Sequence, residues 1–540
     1  MSISSQTRSA DDNVAVARGN GIDRALARAA RKRPERTALS FESRSWTYAR
    51  LERAAESVAA RLEELGVTRG DRVAAYGRNS DAYVLLWLAC ARAGFVHVPI
   101  NYALTAVELA YVVTQSRSSA LAYDADLASV VTSASDALGV AVRGRFSGGG
   151  EDFDVLESAE RDHPYERSNS PSSSDLAQLL YTSGTTAAPK GAMMTHGALL
   201  AEYESCIIEA DLRSEDRVLA ALPLYHSAQM HCFMMPHLLL GASTTLVQGF
   251  DPATALRLIE TARITSFFAP PTGWIALLRH ADFATRDLSS LEKIYYGASI
   301  MPVPVLEELR RRLPRAAPYN LYGQSEIGPL ATVLRPEEHA ARPASAGRPV
   351  FNVATRIVDA AMNDVEPGVP GEIVHRSSQL MTGYWDKPDE TASAFAGGWF
   401  HSGDVGWRDE EGYITITDRL KDVINTGGVV VSSREVEETL FKHPAVSEAA
   451  VVALPHAKWV EAVAAIVVLR EGMNVDETTL LDHARAELAP FKVPKRVFFA
   501  PSIPRNTAGK VLKRVLRDEY ADRLNDAPLT NEVMPGRRSS

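Results

Sequence analysis

Cysteine is scarce in this chain, and positive charge is not in excess. Three cysteines occur, Cys90, Cys206 and Cys232, without a CxxC pair, so a zinc or thiol-redox site is not expected and free buried thiols are favoured. Lys and Arg number 58 against 67 Asp and Glu, which gives a formal charge of −9. Because no surplus of positive charge is present to hold a nucleic-acid backbone, nucleic acid is excluded as an expected partner and small molecules are favoured.

Long apolar segments are missing as well. The longest apolar run, residues 232–242, contains Pro236 and Gly241 and is too short to cross a bilayer. Residues 1–20 are polar and lack the apolar core of a signal peptide. We therefore expect a soluble, cytoplasmic protein with no membrane span.

The apolar residues that are present, 46% of the 540 residues, alternate between the periods of strands and helices. This alternation predicts an α/β fold in which parallel sheets carry helices on both faces. The clearest predicted elements are strands at 37–41, 73–76, 96–100, 217–222, 266–269 and 315–319 and helices at 48–65, 81–93, 253–262 and 302–312.

Changes in composition predict the domain boundaries. Turn residues separate short strands at 353–358, 371–375 and 413–416, and Ser432 with Glu435 predicts a capping box that opens a later helix. The predicted units are a flexible tail at 1–20, a large domain at 21–417 with a strand-rich part at 340–417, a hinge at 418–421, an α+β domain at 422–526 and a flexible tail at 527–540.

One short loop concentrates hydroxyl groups, glycines and a lysine. It runs from Thr182 to Gly191 and reads TSGTTAAPKG. The glycines let backbone N–H groups face an anion, the hydroxyls add donors, and Lys190 adds a positive charge for a polyphosphate. A Walker loop would have Ser or Thr after its lysine, so the pattern predicts a phosphate-binding loop of a different class of ATP enzyme. The alternative is a polar surface turn.

Four later clusters could serve the same nucleotide. Tyr322 and Glu326, just after a predicted strand, offer a ring for adenine and a carboxylate for Mg²⁺. Asp404 could accept two ribose hydroxyls, although an Asx turn explains it equally well. Taken alone, residues 418–428 with their glycine pair are an exposed linker, and Lys510 is an ordinary solvated lysine.

Together and in this order, the clusters resemble those of the adenylate-forming superfamily of acyl-CoA synthetases, nonribosomal peptide adenylation domains and beetle luciferases. The resemblance runs from about Ile22 to Leu524 and is to the acyl-CoA synthetase branch. It implies a large N-terminal domain of two helix-flanked sheets with a small β-barrel subdomain, followed by a small mobile α+β domain. It also implies ATP, Mg²⁺ and coenzyme A as cofactors and a small carboxylic acid as substrate.

The resemblance assigns residues to these ligands. Those implied to bind ATP or CoA are Thr182, Ser183, Gly184, Thr185, Thr186, Lys190, Gly297, Ala298, Asn320, Tyr322, Gly323, Ser325, Asp404, Arg419, Gly427 and Gly428. Glu326 is implied to ligate Mg²⁺ and Lys510 to be the catalytic lysine. Lys421 falls on the family's hinge position and His226 on a gate between the carboxylate and thiol sites. The implied acid pocket includes Tyr225, Ser227, Met230 and Tyr296.

The expected reaction explains why residues of these types are needed. A carboxylate that attacks the α-phosphorus of ATP meets another anion, so Mg²⁺, Lys510 and the hydroxyl loop are expected to stabilise the charge that moves to pyrophosphate. The acyl-adenylate then meets the thiol of CoA. In the family, the C-terminal domain rotates about the hinge between the two steps and brings the glycine pair to the thiol tunnel.

Some positions depart from the family pattern. Ala187 replaces a usual glycine and Ser325 a usual threonine, which bears on ATP affinity. Tyr296 stands where many members have glycine, so it is expected to shorten the acid pocket or contact an aromatic acid, and Tyr296→Gly to lengthen the preferred acyl chain. The apolar residues that fit either an acid pocket or a core are Met230, Phe233, Met234 and Met235.

The favoured function is an acyl-CoA synthetase for a fatty or aromatic acid. One alternative is a freestanding adenylating enzyme that serves a carrier protein or a nitrogen nucleophile, including activation of nitrite for diazotisation. Another is a non-enzymatic nucleotide-binding scaffold, which the intact Lys190, Glu326, Asp404 and Lys510 argue against. A homodimer is compatible with the sequence, although no residue indicates one.

Overall fold

The computed structural model describes residues 20–161, 165, 170–182, 188–299, 301–420, 422–426, 429–456, 459–506 and 511–525. Outside these ranges lie the predicted tails except Asn20, and the predicted site residues Ser183, Gly184, Thr185, Thr186, Lys421, Gly427, Gly428 and Lys510. Within these ranges, no helix combines the length and apolar character that a membrane span requires.

The strands are β1 Thr37–Phe41, β2 Arg44–Thr47, β3 Arg72–Tyr76, β4 Val96–Ile100, β5 Ser118–Tyr123, β6 Val142–Arg145, β7 Phe153–Asp154, β8 Leu176–Thr182, β9 Lys190–Thr195, β10 Arg217–Ala220, β11 Ser243–Leu246, β12 Ser266–Phe268, β13 Lys293–Gly297, β14 Ala317–Tyr322, β15 Thr332–Leu334, β16 Arg348–Pro349, β17 Val353–Val358, β18 Gly371–Ser377, β19 Phe400–Arg408, β20 Ile414–Arg419, β21 Ile424–Thr426, β22 Val429–Val431, β23 Val446–His456, β24 Val460–Leu469 and β25 Arg496–Phe499.

The α-helices are α1 Ile22–Lys32, α2 Tyr48–Glu64, α3 Asp81–Ala93, α4 Ala106–Gln115, α5 Ala128–Leu138, α6 Val155–Glu160, α7 His196–Glu209, α8 Met235–Leu240, α9 Pro252–Thr261, α10 Pro271–Arg279, α11 Val303–Arg312, α12 Pro388–Ala394, α13 Ser433–Phe441, α14 Glu477–Glu487 and α15 Lys513–Tyr520.

Two large sheets form the first part of the chain. A nine-stranded sheet has the order β16-β15-β14-β13-β12-β10-β11-β1-β2, and a seven-stranded sheet has the order β7-β6-β5-β3-β4-β8-β9. Their inner strands pair in parallel, and antiparallel pairing is confined to the edges. The α/β prediction, with parallel helix-flanked sheets, is confirmed.

Helix α3 is buried along its whole length, in the core that both large sheets share. Ser80 caps its first turn, and Gly94 ends it in the left-handed conformation with φ +76°. Its Asp81 accepts hydrogen bonds from Arg44 at 2.7 and 2.9 Å and from Trp46 at 2.9 Å. A buried carboxylate is tolerated here because charged and polar donors satisfy both of its oxygens.

The second part of the chain contains two smaller sheets. Strands β17-β18-β19-β20 form an antiparallel sheet that overlaps the strand-rich segment predicted at 340–417. Beyond it, β22-β21-β24-β23 form a sheet in which β25 also pairs with β24. Helix α13 packs on this sheet, and Ser432 accepts the N–H of Glu435 at 3.4 Å. The reciprocal half of the predicted capping box is replaced by an ion pair of Glu435 with Lys492 at 2.6 Å.

Strands β14 and β20 continue past their predicted ends. Strand β14 continues to Tyr322, so Asn320 and Tyr322 lie within the strand and not after it, because β15 pairs with this end of β14. Strand β20 continues to Arg419, into the predicted hinge, because Arg419 pairs with Asp404 of β19. Pairing with a neighbouring strand thus extends both strands beyond their apolar cores.

The C-terminal sheet and its helices contact the rest of the chain at defined points. Asp418, at the end of β20, accepts hydrogen bonds from the backbone N–H and the hydroxyl of Ser433 at 2.7 and 2.8 Å. Arg279, at the end of α10, donates to the hydroxyl of Ser447 at 2.7 Å and to its carbonyl at 3.2 Å. These contacts hold the C-terminal sheet and its first helix beside the end of β20 and the end of α10.

Candidate active site

The main cavity lies at the carboxyl ends of β12, β13 and β14 and has a volume of about 770 Å³. The carboxyl ends of parallel strands are where α/β sheets bind ligands. The cavity is lined by many of the predicted site residues: Thr182, Lys190, Tyr225, His226, Ser227, Gly297, Ala298, Tyr322, Gly323, Ser325, Glu326 and Arg419.

One side of the cavity is formed by the β8–β9 hairpin. Thr182, the last residue of β8, and Lys190, the first residue of β9, are cross-strand partners. The Nζ of Lys190 lies 4.3 Å from the ring centroid of Tyr384, and the hydroxyl of Tyr384 donates to Oε1 of Glu326 at 3.0 Å. Burial, followed by the nearby charge of Glu326, raises the pKa of Tyr384, so the hydroxyl keeps the proton that it donates. Tyr384 therefore joins the lysine to the carboxylate.

A hydrogen bond and a close backbone approach fix the turn that carries Glu326. The hydroxyl oxygens of Ser325 and Ser227 are 2.8 Å apart. A Cβ on Gly323 would lie 1.9 Å from the carbonyl oxygen of Pro329, so only glycine fits there. As a result Glu326, although only 8% exposed, borders the cavity.

A second carboxylate, that of Asp404, lies beside Tyr322. Asp404 is 4% exposed, pairs with the Nε of Arg419 at 3.1 Å and accepts the Tyr322 hydroxyl at 2.7 Å. Burial, followed by the charge of Asp404, raises the pKa of Tyr322 well above its ordinary value. The cross-strand register of Asp404 and Arg419 thus builds a fixed pair of opposite charges.

A second cavity, of about 300 Å³, lies between these residues and the C-terminal sheet. Asn320 and Asp404 line it, and Ala298, Tyr322, Gly323 and Arg419 line both cavities. Asn320 is itself held by a hydrogen bond from its Nδ2 to the carbonyl of Ser345 at 2.8 Å. Ala298 has φ +62°, a left-handed conformation that residues with a Cβ rarely adopt and that recurs at functional sites.

The main cavity also has an apolar side. It is formed by Ala228, Cys232, Phe233, Phe268, Leu321 and Leu330. Cys232 and Phe233 belong to a π-helical turn, Ala228–Met234, and Pro236 follows in the first turn of α8. Such turns shift side chains off the regular helical faces and recur at functional sites. Just before this turn, Nδ1 of His226 accepts the N–H of Ala228 at 3.3 Å, and Tyr225 meets Tyr102 edge-on.

Two residues assigned to the acid pocket lie elsewhere. Tyr296 points to the opposite face of the nine-stranded sheet, is 1% exposed and shares a hydrogen bond of 2.8 Å with Nε2 of His339. Successive side chains of a strand alternate between faces, so Tyr295 and Gly297 face the cavity side while Tyr296 cannot. Met230 is fully buried in the core shared by the large sheets, as are Met234 and Met235. Of the four apolar candidates, Phe233 is the one that lines the cavity.

A buried carboxylate behind the apolar side was not predicted. Glu202 accepts hydrogen bonds from Nε2 of Gln379 at 2.5 Å, from the N–H of Leu330 at 3.1 Å and from the thiol of Cys206 at 3.2 Å. Gln379 also donates to the carbonyl of Leu330 at 2.8 Å. Glu202 and Cys206 are spaced i, i+4 and therefore lie on one face of α7, which is the signal in the sequence for a contact between them.

Burial raises the pKa of Glu202 to about 8, from an ordinary value of 4.5. The folded state therefore keeps a proton that the unfolded state releases. The contribution of this proton to the free energy of unfolding is complete below about pH 4.5 and is lost as the pH rises to about 8. Between about pH 6 and pH 8 we expect the free energy of unfolding to fall by about 1 to 3 kcal/mol more in the wild type than in Glu202→Gln. Urea denaturation at both pH values measures this, and parallel pH dependences would contradict it.

The AMP-binding enzyme family matches residues 26–385, and the AMP-binding enzyme C-terminal domain matches residues 435–510. The chain belongs to the AMP-binding enzyme family. Feruloyl-CoA synthase of an Amycolatopsis species is 36% identical over 504 residues, which cover 93% of this chain and 100% of that relative.

Two further proteins support the assignment of this AMP-binding enzyme as an acyl-CoA synthetase. A long-chain fatty acid–CoA ligase of Mycobacterium tuberculosis is 34% identical over 483 residues, 88% of this chain and 93% of the relative. The ATP-bound structure of MatB from Rhodopseudomonas palustris matches with a TM-score of 0.86 and 30% identity, covering 94% of this chain and 100% of that one. This AMP-binding enzyme is an acyl-CoA synthetase: it uses ATP to form an acyl-adenylate and transfers the acyl group to CoA.

Proposed function

We propose that the main cavity is the adenylation site, in which Thr182, Lys190, Ser325 and Glu326 face the phosphates of ATP and the acid lies against the apolar side. The observation that carries the proposal is the link from Lys190 through Tyr384 to Glu326, with contacts of 4.3 and 3.0 Å. An attack of one anion on another needs positive charge placed before the reaction begins. A lysine and a carboxylate able to hold a cation, both at one cavity, meet that need.

The residues at this site fit Mg²⁺. Magnesium is usually bound by one or two protein carboxylates together with substrate phosphates. Each carboxylate oxygen has two lone pairs, so the single hydrogen bond from Tyr384 to Glu326 leaves capacity for a cation. Bound there, Mg²⁺ would neutralise charge on the phosphates. The task of Glu326 is to hold the ion at the cavity, and that of Tyr384 is to orient the carboxylate.

The nucleoside would extend from the main cavity into the second one. Asp404 keeps lone pairs for ribose hydroxyls while Arg419 and Tyr322 fix its orientation. The ring of Tyr322 and the backbone at Gly297 and Ala298 would form the walls of the adenine pocket. These roles agree with those that the family resemblance implies.

The remaining proposed roles fall largely on residues outside the described ranges. Asn506, four residues before Lys510 in the sequence, lines the main cavity, and this supports a role of Lys510 in adenylation. We assign to Lys421 the hinge, to Gly427 and Gly428 the approach of the CoA thiol, and to His226 the gate between the acid and the thiol. These assignments rest on the family resemblance.

The acid is proposed to be apolar, fatty or aromatic. Ala228, Phe233, Phe268 and Leu330 provide a surface without charge for its body. The names of two relatives, a feruloyl-CoA synthase and a long-chain fatty acid–CoA ligase, fall in these two classes of acid.

Release of pyrophosphate with a panel of apolar acids, with and without CoA, tests the proposed function. We expect release that depends on both ATP and an acid, and acyl-CoA only when CoA is present. Lys190→Ala is expected to lower pyrophosphate release by about a hundredfold, because the positive charge at the phosphates is removed. If the acyl group is transferred to a carrier protein or an amine in preference to CoA, the acceptor is one of the alternatives and not CoA. No release with any acid would contradict the proposal.

A further inference from the structure

A buried histidine follows the π-helical turn that borders the main cavity. His237 lies in α8 and is fully buried, and its Nδ1 donates to the carbonyl of Phe233, four residues earlier, at 2.7 Å. Its Nε2 donates to Oδ2 of Asp216 at 3.1 Å. A carbonyl and a carboxylate both accept hydrogen bonds, so partners on two sides fix the plane of the imidazole ring.

The partner Asp216 is itself fixed. Its Oδ2 also accepts hydrogen bonds from Nζ of Lys293 at 2.9 Å and from the backbone N–H of Arg213 at 2.8 Å. Burial raises the pKa of Asp216, but the hydrogen bonds and charges of His237 and Lys293 outweigh it and hold this pKa below its ordinary value. Asp216 is therefore a carboxylate. Because Lys293 begins β13, these bonds anchor His237 to the nine-stranded sheet.

The backbone around Phe233 departs from a regular helix. The N–H of Met235 donates to the carbonyl of Met230, five residues earlier, as in a π-helix. Pro236 has no N–H to donate, so the ladder of helical hydrogen bonds is interrupted directly after the turn. The side chain of His237 therefore holds a part of the backbone at which the helical ladder is incomplete.

Phe233 connects this contact to the main cavity. Its ring is packed between the rings of Phe268 and Tyr295, with centroids 4.6 and 4.9 Å away. Phe233 and Phe268 line the main cavity, and so does Ala228, the half-buried residue with which the turn begins. Because packed rings move together, a displacement of the Phe233 backbone would change the shape of the apolar side. The hydrogen bond from His237 prevents this displacement.

We propose that His237 is a positioning residue for the carboxylic acid, because its bond to the carbonyl of Phe233 holds the π-helical turn at which the acid pocket is formed. This proposal rests on the proposed function, in which the acid lies against the apolar side of the main cavity. His237 itself lines neither cavity. Its loss should therefore weaken binding of the acid and leave binding of ATP unchanged.

The test measures KM for the acid, KM for ATP and kcat by pyrophosphate release in the presence of CoA. The probe is the acid that the wild type uses with the highest kcat/KM in a panel that includes 3-phenylpropenoic and dodecanoic acids. We expect His237→Ala to raise KM for the acid at least tenfold and to change kcat and KM for ATP less than threefold. A loss of overall stability would instead lower the amount of active enzyme, and with it the apparent kcat, without this change in KM.

Two conservative variants separate the two hydrogen bonds of the ring. In His237→Asn the amide nitrogen can take the place of Nδ1 and donate to the carbonyl of Phe233, whereas in His237→Gln it can take the place of Nε2 and donate to Asp216. We expect His237→Asn to keep KM for the acid within threefold of the wild-type value and His237→Gln to raise it at least tenfold. This pair decides the matter where the alanine variant does not fold.

His339→Ala is the matched control. His339 is also fully buried, and its Nδ1 donates to the carbonyl four residues earlier, that of Arg335, at 2.8 Å, but it lies on neither cavity. Its KM for the acid should equal that of the wild type. An equal rise of KM in His237→Ala and His339→Ala, or an unchanged KM in His237→Gln, would overturn the inference and leave the acyl-CoA synthetase assignment intact. Failure of the wild type to release pyrophosphate with any acid would instead contradict the proposed function.

Discussion

Lys510→Ala is expected to abolish adenylation and to spare the transfer of the acyl group from a supplied acyl-adenylate to CoA. A positive charge that acts only while pyrophosphate leaves contributes to one transition state and not to the other. Its loss should cost adenylation about 3 to 5 kcal/mol, which is roughly a hundredfold to several thousandfold in rate. The measurements are pyrophosphate release with the acid, and acyl-CoA formation from the synthetic acyl-adenylate.

Lys492→Ala is the control for this experiment. Lys492 belongs to the same part of the chain but pairs with Glu435 and lies on neither cavity, so both steps should proceed at wild-type rates. Losses of similar size in both steps of Lys510→Ala would show that the lysine is not specific to adenylation and would refute its assignment.

Glu326→Gln is expected to lower the rate of adenylation by about 2 to 4 kcal/mol, or roughly thirtyfold to a thousandfold. The amide oxygen can still accept the hydroxyl of Tyr384, so the turn keeps its geometry while the negative charge is lost. The measurement is pyrophosphate release over a range of Mg²⁺ concentrations, and the concentration for half-maximal rate should increase.

Glu338→Gln provides a close match, because Glu338 also accepts a tyrosine hydroxyl, that of Tyr413 at 2.7 Å, but lies away from the cavities. Its magnesium dependence should be that of the wild type. If Glu326→Gln and Glu338→Gln behave alike, then Glu326 does not hold the metal.

Much of the fold could be predicted because local signals and tertiary packing agree. Helix α3 begins and ends where Ser80 and Gly94 indicate, and its apolar residues are buried as their number suggests. Strand ends were harder to predict. Tyr322 and Arg419 are polar or amphipathic positions that become strand only because β15 and β19 supply hydrogen-bonding partners. Such partners are distant in sequence and leave no local signal.

The residues of the site also differ in whether a local sequence signal or a distant contact determines their position. The motifs single out Thr182, Lys190, Glu326 and Arg419, each close in sequence to a glycine or a strand end, and all four line one cavity. Tyr296 was expected at the wall of the acid pocket, but the alternation of side chains along β13 puts it on the face opposite Tyr295 and Gly297. Tyr384 has no motif of its own, and its link to Lys190 and Glu326 depends on a backbone bridge between Ala192 and Tyr384. Only the folded chain reveals that link.

The hydrogen bonds of Asp418 have a mechanical consequence. Asp418 is held by Ser433 at the start of α13, and its chain neighbour Arg419 is paired with Asp404. In the proposed rotation, movement of the C-terminal unit would displace the Arg419 guanidinium, because one peptide bond joins Arg419 to Asp418. Binding of ribose at the proposed site and the orientation of that unit would then be linked, and such a linkage is reciprocal. The nucleotide would favour one orientation of the unit in addition to serving as a reactant.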